Sequence, residues 1–371
     1  MIQSPSILVM IGAFFLVLGP LVLLHELGHY LVARLFKVRA DAFSIGFGKE
    51  LFGWTDQRGT RWKLSALPLG GYVQFAGDMN AASVPDPAYA DLPPEELKGI
   101  FQHAPLWQRT LIVLAGPLMN LLVAVAIFAA FNMAYGRPIA PPVIEAFAES
   151  STARDAGLKL GDRIVAIDGA AITSFSEVAQ SVAIYPGRTI TIAARRDGQL
   201  LTIPVKIAAD IQKDQFGNET KRGLIGVRSP NLVWERLGPV AAVGVGFEQS
   251  IDVMRMMVTG IGQIFTGERS VKELGGPIKI AKFSGEQFSL GWPEFVYFAA
   301  LISINLAFIN LLPIPALDGG HLAFYAAEAV RRKPIGARGQ EWAFRTGFAF
   351  VLALMLFVTL NDLASLPLFG S

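Results

Sequence analysis

There is no cysteine in this 371-residue chain. That excludes disulfides, thiolate metal sites and cysteine nucleophiles together, so any metal must be held by His, Asp or Glu. Charge is scarce as well: 17% of residues are Asp, Glu, Lys or Arg, against about a quarter in soluble domains. A net charge of +2 gives no overall basic field, so nucleic acid is not an expected partner. Histidine is limited to four positions: His25, His29, His103 and His321. What the chain has in quantity is apolar residues, 52% of the total, gathered in long runs. Low charge and long apolar runs predict a membrane protein.

Four runs approach the roughly 20 apolar residues that a bilayer demands. The first spans about Ile7 to Leu35; the second lies between Arg109 and Arg137 with no charge between them. The third is Phe295 to Leu317 and the fourth Phe344 to Leu363. The first positive charge is Arg34, so the opening run lacks a basic leader region and is expected to be a retained helix. A fifth stretch, Leu237 to Phe265, is interrupted by Glu248, Asp252 and Arg255 and reads as an amphipathic helix at the membrane surface. Four spans put both termini on one side. Arg331, Arg332, Lys333, Arg338 and Arg345 crowd the loop before the last run, and Arg34, Lys37 and Arg39 follow the first. Positive loops stay in the cytoplasm, so both termini and the segment 136–293 are expected outside it.

Two of the connecting segments have patterns of their own. "AFSIGFGKELFG" and "RWKLSALPLGGYVQFAG" alternate and turn at glycines, which predicts a small β-sheet or hairpin from Phe43 to Phe75. The stretch "DMNAASVPDPAYADLPPEE" then reads as loop. Within the outward segment, "AGLKLGDRIVAIDG" resembles a bacterial PDZ domain, carried by Gly157, Leu158, Gly161, Asp162 and Ile164. Asp168-Gly169 and Asp197-Gly198 are turn signals, the second between two β runs, and Phe175 to Val182 reads as a short helix. PDZ domains grip peptides by adding them to a sheet edge. A rigid spacer that filters access is an equal reading.

The chemistry begins at "HELGH". Residues four apart share one helix face, so His25 and His29 point together, at zinc-ligand reach, with Glu26 beside them as general base. Titratable groups at membrane depth are costly and are functional by default. A catalytic zinc needs a third protein ligand and an open position. Asp318 in "LLPIPALDGGHL" is the best candidate, with Gly319 and Gly320 allowing the backbone to turn and Pro313 and Pro315 breaking the helix. His321 is the rival ligand, and His103 stands in a loop before the second run.

Taken in order, "HELGHYLVARLF", "GFGKELFG", "LPLGGYV", "LAGPLMN", "GGPIKIAK" and "SINLAFINLLPIPALDGGHL" resemble the site-2 protease family over nearly the whole chain. The bacterial branch typified by the regulator of sigma-E protease (RseP) is the nearest in kind. The resemblance implies intramembrane proteolysis with one zinc ion per chain, bound by His25, His29 and Asp318, and Glu26 as catalytic base. It also implies that Asn310, Asn120 and Pro313 hold substrate or the developing oxyanion. The β region, at Leu69, Gly70, Gly71, Tyr72 and Val73, would offer an edge strand to unwound substrate. One clear PDZ copy is present where the best-known members of the branch have two.

The expected fold is therefore a polytopic α-helical membrane protein: four transmembrane helices, a membrane-associated β region and an extracytoplasmic α+β PDZ domain. The expected divisions are 1–36, the first helix; 37–106, the β region and loop; 107–136, the second helix; and 137–209, the PDZ domain. A β extension and surface helix take 210–293, the third helix 294–330, and a basic loop with the fourth helix 331–371. The expected site of action is the inner membrane. Expected partners are the lipid bilayer, single-span substrates such as anti-sigma factors or remnant signal peptides, and an upstream site-1 protease. A metal-ion transporter and an inactive PDZ scaffold are the competing functions.

Overall fold

The computed structural model describes residues 5–78, 93, 97–183, 185–213, 219–229, 231, 233–266, 275–333 and 336–364. The stretch read as loop after the β region, and the carboxy-terminal end of the expected last division, lie largely outside the described residues. The chain forms two compact units, Met1–Phe131 with Pro239–Ser371, and Asn132–Gly238.

The first unit opens with helix α1 (Ile7–Leu35), whose N-terminus is capped by the Ser6 hydroxyl accepting from the Val9 N–H. Strands β1 (Ala40–Thr55) and β2 (Arg61–Phe75) pair as one long, bulged hairpin folded back on itself, so that Ala42–Ile45 pair with Gly71–Gln74 on one side and Arg61–Leu64 on the other. Asp56 makes its turn: one carboxylate oxygen accepts from the N–H groups of Arg58 and Thr60, and Gly59 takes a positive φ. The hairpin is fastened to α1 by aromatics. Trp62 stacks on Phe43 at 4.5 Å between ring centres and meets Tyr30 edge-on at 5.2 Å. Phe43 is fully buried there, a contribution of about 1.5–3 kcal/mol from its burial alone. Helix α2 (Leu106–Ala134) follows and continues through Pro117.

The second unit is built from short elements. Strands β3 (Arg137–Ile139) and β4 (Ala146–Phe147) lead to helix α3 (Thr152–Asp155), strand β5 (Arg163–Ile167) and strand β6 (Ala170–Ala171). Helix α4 (Phe175–Ala183) precedes β7 (Thr189–Arg196) and β8 (Gln199–Lys206). Asp197 and Gly198 both have positive φ, the geometry of a two-residue hairpin turn. The four-stranded sheet runs β6-β5-β7-β8, antiparallel throughout. Strands β9 (Ala208–Lys213) and β10 (Glu219–Leu224) pair with each other; β11 (Val227–Arg228) pairs with β4 and β12 (Val233–Glu235) with β3. Ile144, Leu158, Ile164, Ile190, Ile192 and Val205 fill the core.

The chain then returns to the first unit. Helix α5 (Pro239–Thr266) packs Val253, Met254 and Met257 against Phe128, Ala300 and Ile304 and leaves the Asp252–Arg255 pair exposed. Helix α6 (Pro277–Leu290) follows, so two helices occupy the segment where the sequence suggested one. Helices α7 (Trp292–Leu311), α8 (Asp318–Arg331) and α9 (Ala337–Ala364) complete the unit. The division 294–330 holds α7 and α8 with a break between them at Pro313 and Pro315, which cannot donate a backbone N–H and disfavour helical backbone before them. Residues Leu312 to Leu317 instead fold back over the start of α8. Gly319 and Gly320 serve close packing, not turning: both are helical, and a Cβ on either would overlap backbone atoms between Leu311 and Pro315.

Among the described residues, four helices are long and apolar enough to cross a membrane: Ile7–Leu35, Leu106–Ala134, Trp292–Leu311 and Gly339–Leu363. Asp362, fully buried near the end of α9, accepts from the N–H groups of Gly276 and Lys279 and so caps α6 from another helix.

Candidate active site

The one-turn spacing of α1 puts His25 and His29 side by side, with 3.3 Å between their Nε2 atoms. The start of α8 brings Asp318 to them: its Oδ2 lies 3.1 Å from His25 Nε2 and 3.5 Å from His29 Nε2. Despite that proximity, no hydrogen bond of sound geometry from the described residues satisfies this buried oxygen. Three lone-pair donors facing one point, one of them a carboxylate oxygen without a proton to accept, are the requirement of a cation. Two imidazoles and a carboxylate are a donor set for catalytic zinc, with a position left for water. Among the described residues this is the one such metal-ligand group.

The surroundings prepare the ligands. The Nδ1–H of His29 donates to the Ile112 carbonyl at 2.8 Å, which fixes the proton on Nδ1 and leaves the Nε2 lone pair free. Gly116 of α2 faces both rings so closely that a Cβ there would overlap them. Gly28 lies against the Ala115 carbonyl in the same way, so α1 and α2 cross on small residues. An ion pair of 2.7 Å between Arg109 and Glu328 ties α8 to α2, and the Arg109 guanidinium lies over the Tyr325 ring.

These groups open into a cavity of about 350 Å³. Glu26 lines it beside the candidate ligands, together with Val73. From β2, Gly71, Tyr72 and Val73 form one wall, with Gly71 packed on the Glu26 side chain. Phe344 and Phe348 of α9 form another, and Asn310 completes the rim. Between those two phenylalanines, Gly347 rests on the Pro315 carbonyl, where a Cβ would overlap it. The model of peptidase family M50 matches residues 13–354.

The chain belongs to that family, the site-2 proteases.

Two relatives are named as zinc metalloproteases. One, from Agrobacterium fabrum, is 45% identical over 358 residues, covering 95% of each chain. The other, from Rhizobium meliloti, is 44% identical over 358 residues, covering 95% of this chain and 96% of its own. Metalloprotease MmpA of Caulobacter vibrioides is 35% identical over 381 residues, covering 96% of each. A solved PDZ domain of an SdrC-like protein from Listeria innocua is similar at 22% identity over 24% of this chain and 94% of its own, with a TM-score of 0.20.

For this site-2 protease family member, the remaining residues singled out in the sequence fall in three groups. His321 lines the cavity but stands outside the cluster of ligand atoms, and His103 lies in a single 3-10 turn away from it. Asn120 is fully buried with its carboxamide on His25, and Pro313 is in the loop before α8; neither lines the cavity. Gly70 has a positive φ and faces the Phe47 ring, while the Leu69 side chain lies outside the described residues.

In the second unit, Gly157 and Gly161 take positive φ and Leu158 and Ile164 are core residues. Asp162 is fully buried and fully bonded: Arg196 donates to both carboxylate oxygens at 2.7 Å, and the Lys159 N–H adds a third bond at 2.8 Å. Burial pushes its carboxyl up, but the Arg196 guanidinium and the Lys159 N–H outweigh that and hold it below the usual range. A groove of about 220 Å³ runs between α4 and residues 223–228, but Gly223 sits directly on the Val182 carbonyl and narrows one end. Sequence reasoning quoted Gly116 within "LAGPLMN" without giving it a role, and missed Ile112 and the Arg109–Glu328 pair. The spacing of 112, 116 and 120 at helical four-residue steps, opposite His25 and His29, was the available signal.

Proposed function

We propose that this protein is an intramembrane zinc endopeptidase that cleaves transmembrane segments of single-span proteins. The observation that carries the reading is the convergence of His25, His29 and Asp318, with Glu26 at the cavity edge, inside a bundle of helices of membrane-spanning length. One zinc ion per chain would be held by those three side chains. When bound, it supplies a Lewis acid and lowers the pKa of its water to about 7.

The chain's own groups do the rest. Glu26 accepts a proton from the attacking water and delivers it to the leaving amine. The Asn310 carboxamide N–H donates to the oxygen that gains charge at the scissile carbonyl. Among the described residues the Gly71–Gln74 stretch of β2 pairs with Ala42–Ile45 on one side and has no strand partner on the other, and Gly71, Tyr72 and Val73 of that stretch line the cavity. An unwound substrate adds to it and keeps its backbone hydrogen-bonded where lipid offers no partner. Phe344 and Phe348 wall the opposite side and limit water.

In this reading the four apolar helices span the inner membrane. The basic segment around Arg331 to Arg345 is cytoplasmic, and both termini and the second unit are extracytoplasmic. The second unit acts as a PDZ domain. Substrates are of the anti-sigma-factor or remnant-signal-peptide kind, delivered after an upstream protease has removed their outer portion.

The test is reconstitution in liposomes with a single-span substrate, comparing the protein with Glu26→Gln. Cleavage is expected to fall about 10²- to 10⁴-fold with zinc still bound. Undiminished cleavage by the variant would refute the mechanism. Zinc flux that survives the substitution would instead identify a transporter.

A further inference from the structure

His29 has an acceptor for its Nδ1–H in the Ile112 carbonyl. His25 needs the same, because a histidine that ligates through Nε2 carries its proton on Nδ1. The group facing His25 Nδ1 is the side chain of Asn120, whose Nδ2 lies 3.3 Å away. In that orientation a donor faces a donor. Asn120 Oδ1 meanwhile is buried and has no hydrogen-bond partner among the described residues. The two ends of a carboxamide have the same shape, and which is oxygen is decided by the bonds each can make. Rotating the amide by half a turn removes both faults: Oδ1 accepts from the His25 Nδ1–H, and the Nε2 lone pair is freed toward Asp318.

We infer that Asn120 is a positioning residue for the metal site: its Oδ1 accepts from His25 Nδ1–H and fixes the tautomer in which His25 ligates zinc. The inference rests on the zinc site proposed above. It replaces a direct role for Asn120 in holding substrate or the oxyanion, for which its position outside the cavity gives no opening. The backbone is held to suit. Ser303 of α7 is fully buried and its hydroxyl donates to the Asn120 carbonyl at 2.7 Å. Ile112, Gly116 and Asn120 then make a template at i, i+4 and i+8 on one face of α2, opposite His25 and His29 at i and i+4 on α1. The carbonyl orients one imidazole, the carboxamide orients the other, and the glycine gives both rings room.

The experiment measures zinc affinity by chelator competition on the purified full chain, so it does not depend on cleavage. Three proteins are compared: the original, Asn120→Leu and Asn120→Asp. The carboxylate can only accept, so Asn120→Asp is expected to hold zinc within a few-fold of the original. Asn120→Leu is expected to lose about 10- to 100-fold in affinity, the size of effect typical of outer ligand partners. Saturating zinc is expected to restore cleavage by Asn120→Leu. Equal affinity in all three proteins, or a loss in Asn120→Asp as large as that in Asn120→Leu, would overturn the assignment. So would a cleavage defect in Asn120→Leu that saturating zinc leaves unchanged, which is the mark of an oxyanion role. If all three bind zinc in the expected order and none cleaves, the protease reading fails and the positioning role stands.

Discussion

Asp162 is fully buried and Asp318 is half-buried with its Oδ2 out of solvent, one in each compact unit, and they are treated in opposite ways. Asp162 is saturated by Arg196 and the Lys159 N–H. Asp318 Oδ2 has two imidazole nitrogens within 3.5 Å and a hydrogen bond with neither. A buried charge with both oxygens hydrogen-bonded is part of a scaffold. A buried charge with a lone pair aimed at other lone pairs is waiting for a cation, and burial makes that arrangement costly without one. The difference marks Asp318, and not Asp162, as a candidate ligand.

The comparison can be broken most forcefully at Asp318. Asp318→Asn is expected to lower zinc affinity by more than about 100-fold, beyond the range for outer partners, as read by metal content after dialysis against a chelator. A variant that retains zinc would place Asp318 with Asp162 as scaffold. Next in size is Gly116→Ala. The added methyl meets both imidazole rings, so zinc loss should accompany a destabilisation of about 1–3 kcal/mol, measurable by thermal melting in detergent.

Asp162→Ala should leave zinc content untouched. It should destabilise the second unit by about 2 kcal/mol, since it removes charge-assisted hydrogen bonds, and protease nicking near residues 139–235 reports that. The smallest effect is on pH. Because the folded carboxyl of Asp162 sits below its unfolded value near 3.9, its contribution is complete above that value and is lost as pH falls through the folded one. The melting temperature of the second unit should therefore drop more steeply below about pH 4 in the original than in Asp162→Asn.

The three residues that converge in the candidate site were readable in the sequence for a physical reason. Two histidines one helical turn apart, and a carboxylate beside prolines and glycines at the end of an apolar run, are local patterns that lipid makes improbable without a use. The Asp197-Gly198 turn and the β hairpin were readable on the same local grounds. What was not readable depends on separation in the chain. Arg196 reaches Asp162 across 34 residues, Asp362 caps a helix that begins 85 residues earlier, and Asn120 meets His25 across 95. Nothing in the local sequence of Asn120 says whether it faces a cavity or a histidine; that is settled by how α1 and α2 cross. The division of 294–330 into two helices was half legible. The prolines signalled a break, but the folding of Leu312 to Leu317 over two helical glycines follows from tertiary packing.

Gly347 has a mechanical consequence. Because no side chain intervenes, the backbone of α9 bears directly on the Pro315 carbonyl, three residues from Asp318, while Phe344 and Phe348 flank the contact on the cavity wall. The candidate ligand Asp318 and the aromatic wall share one bearing surface. A methyl group at position 347 would overlap the Pro315 backbone, so the contact that sets the wall against the Asp318 loop leaves no room for a side chain.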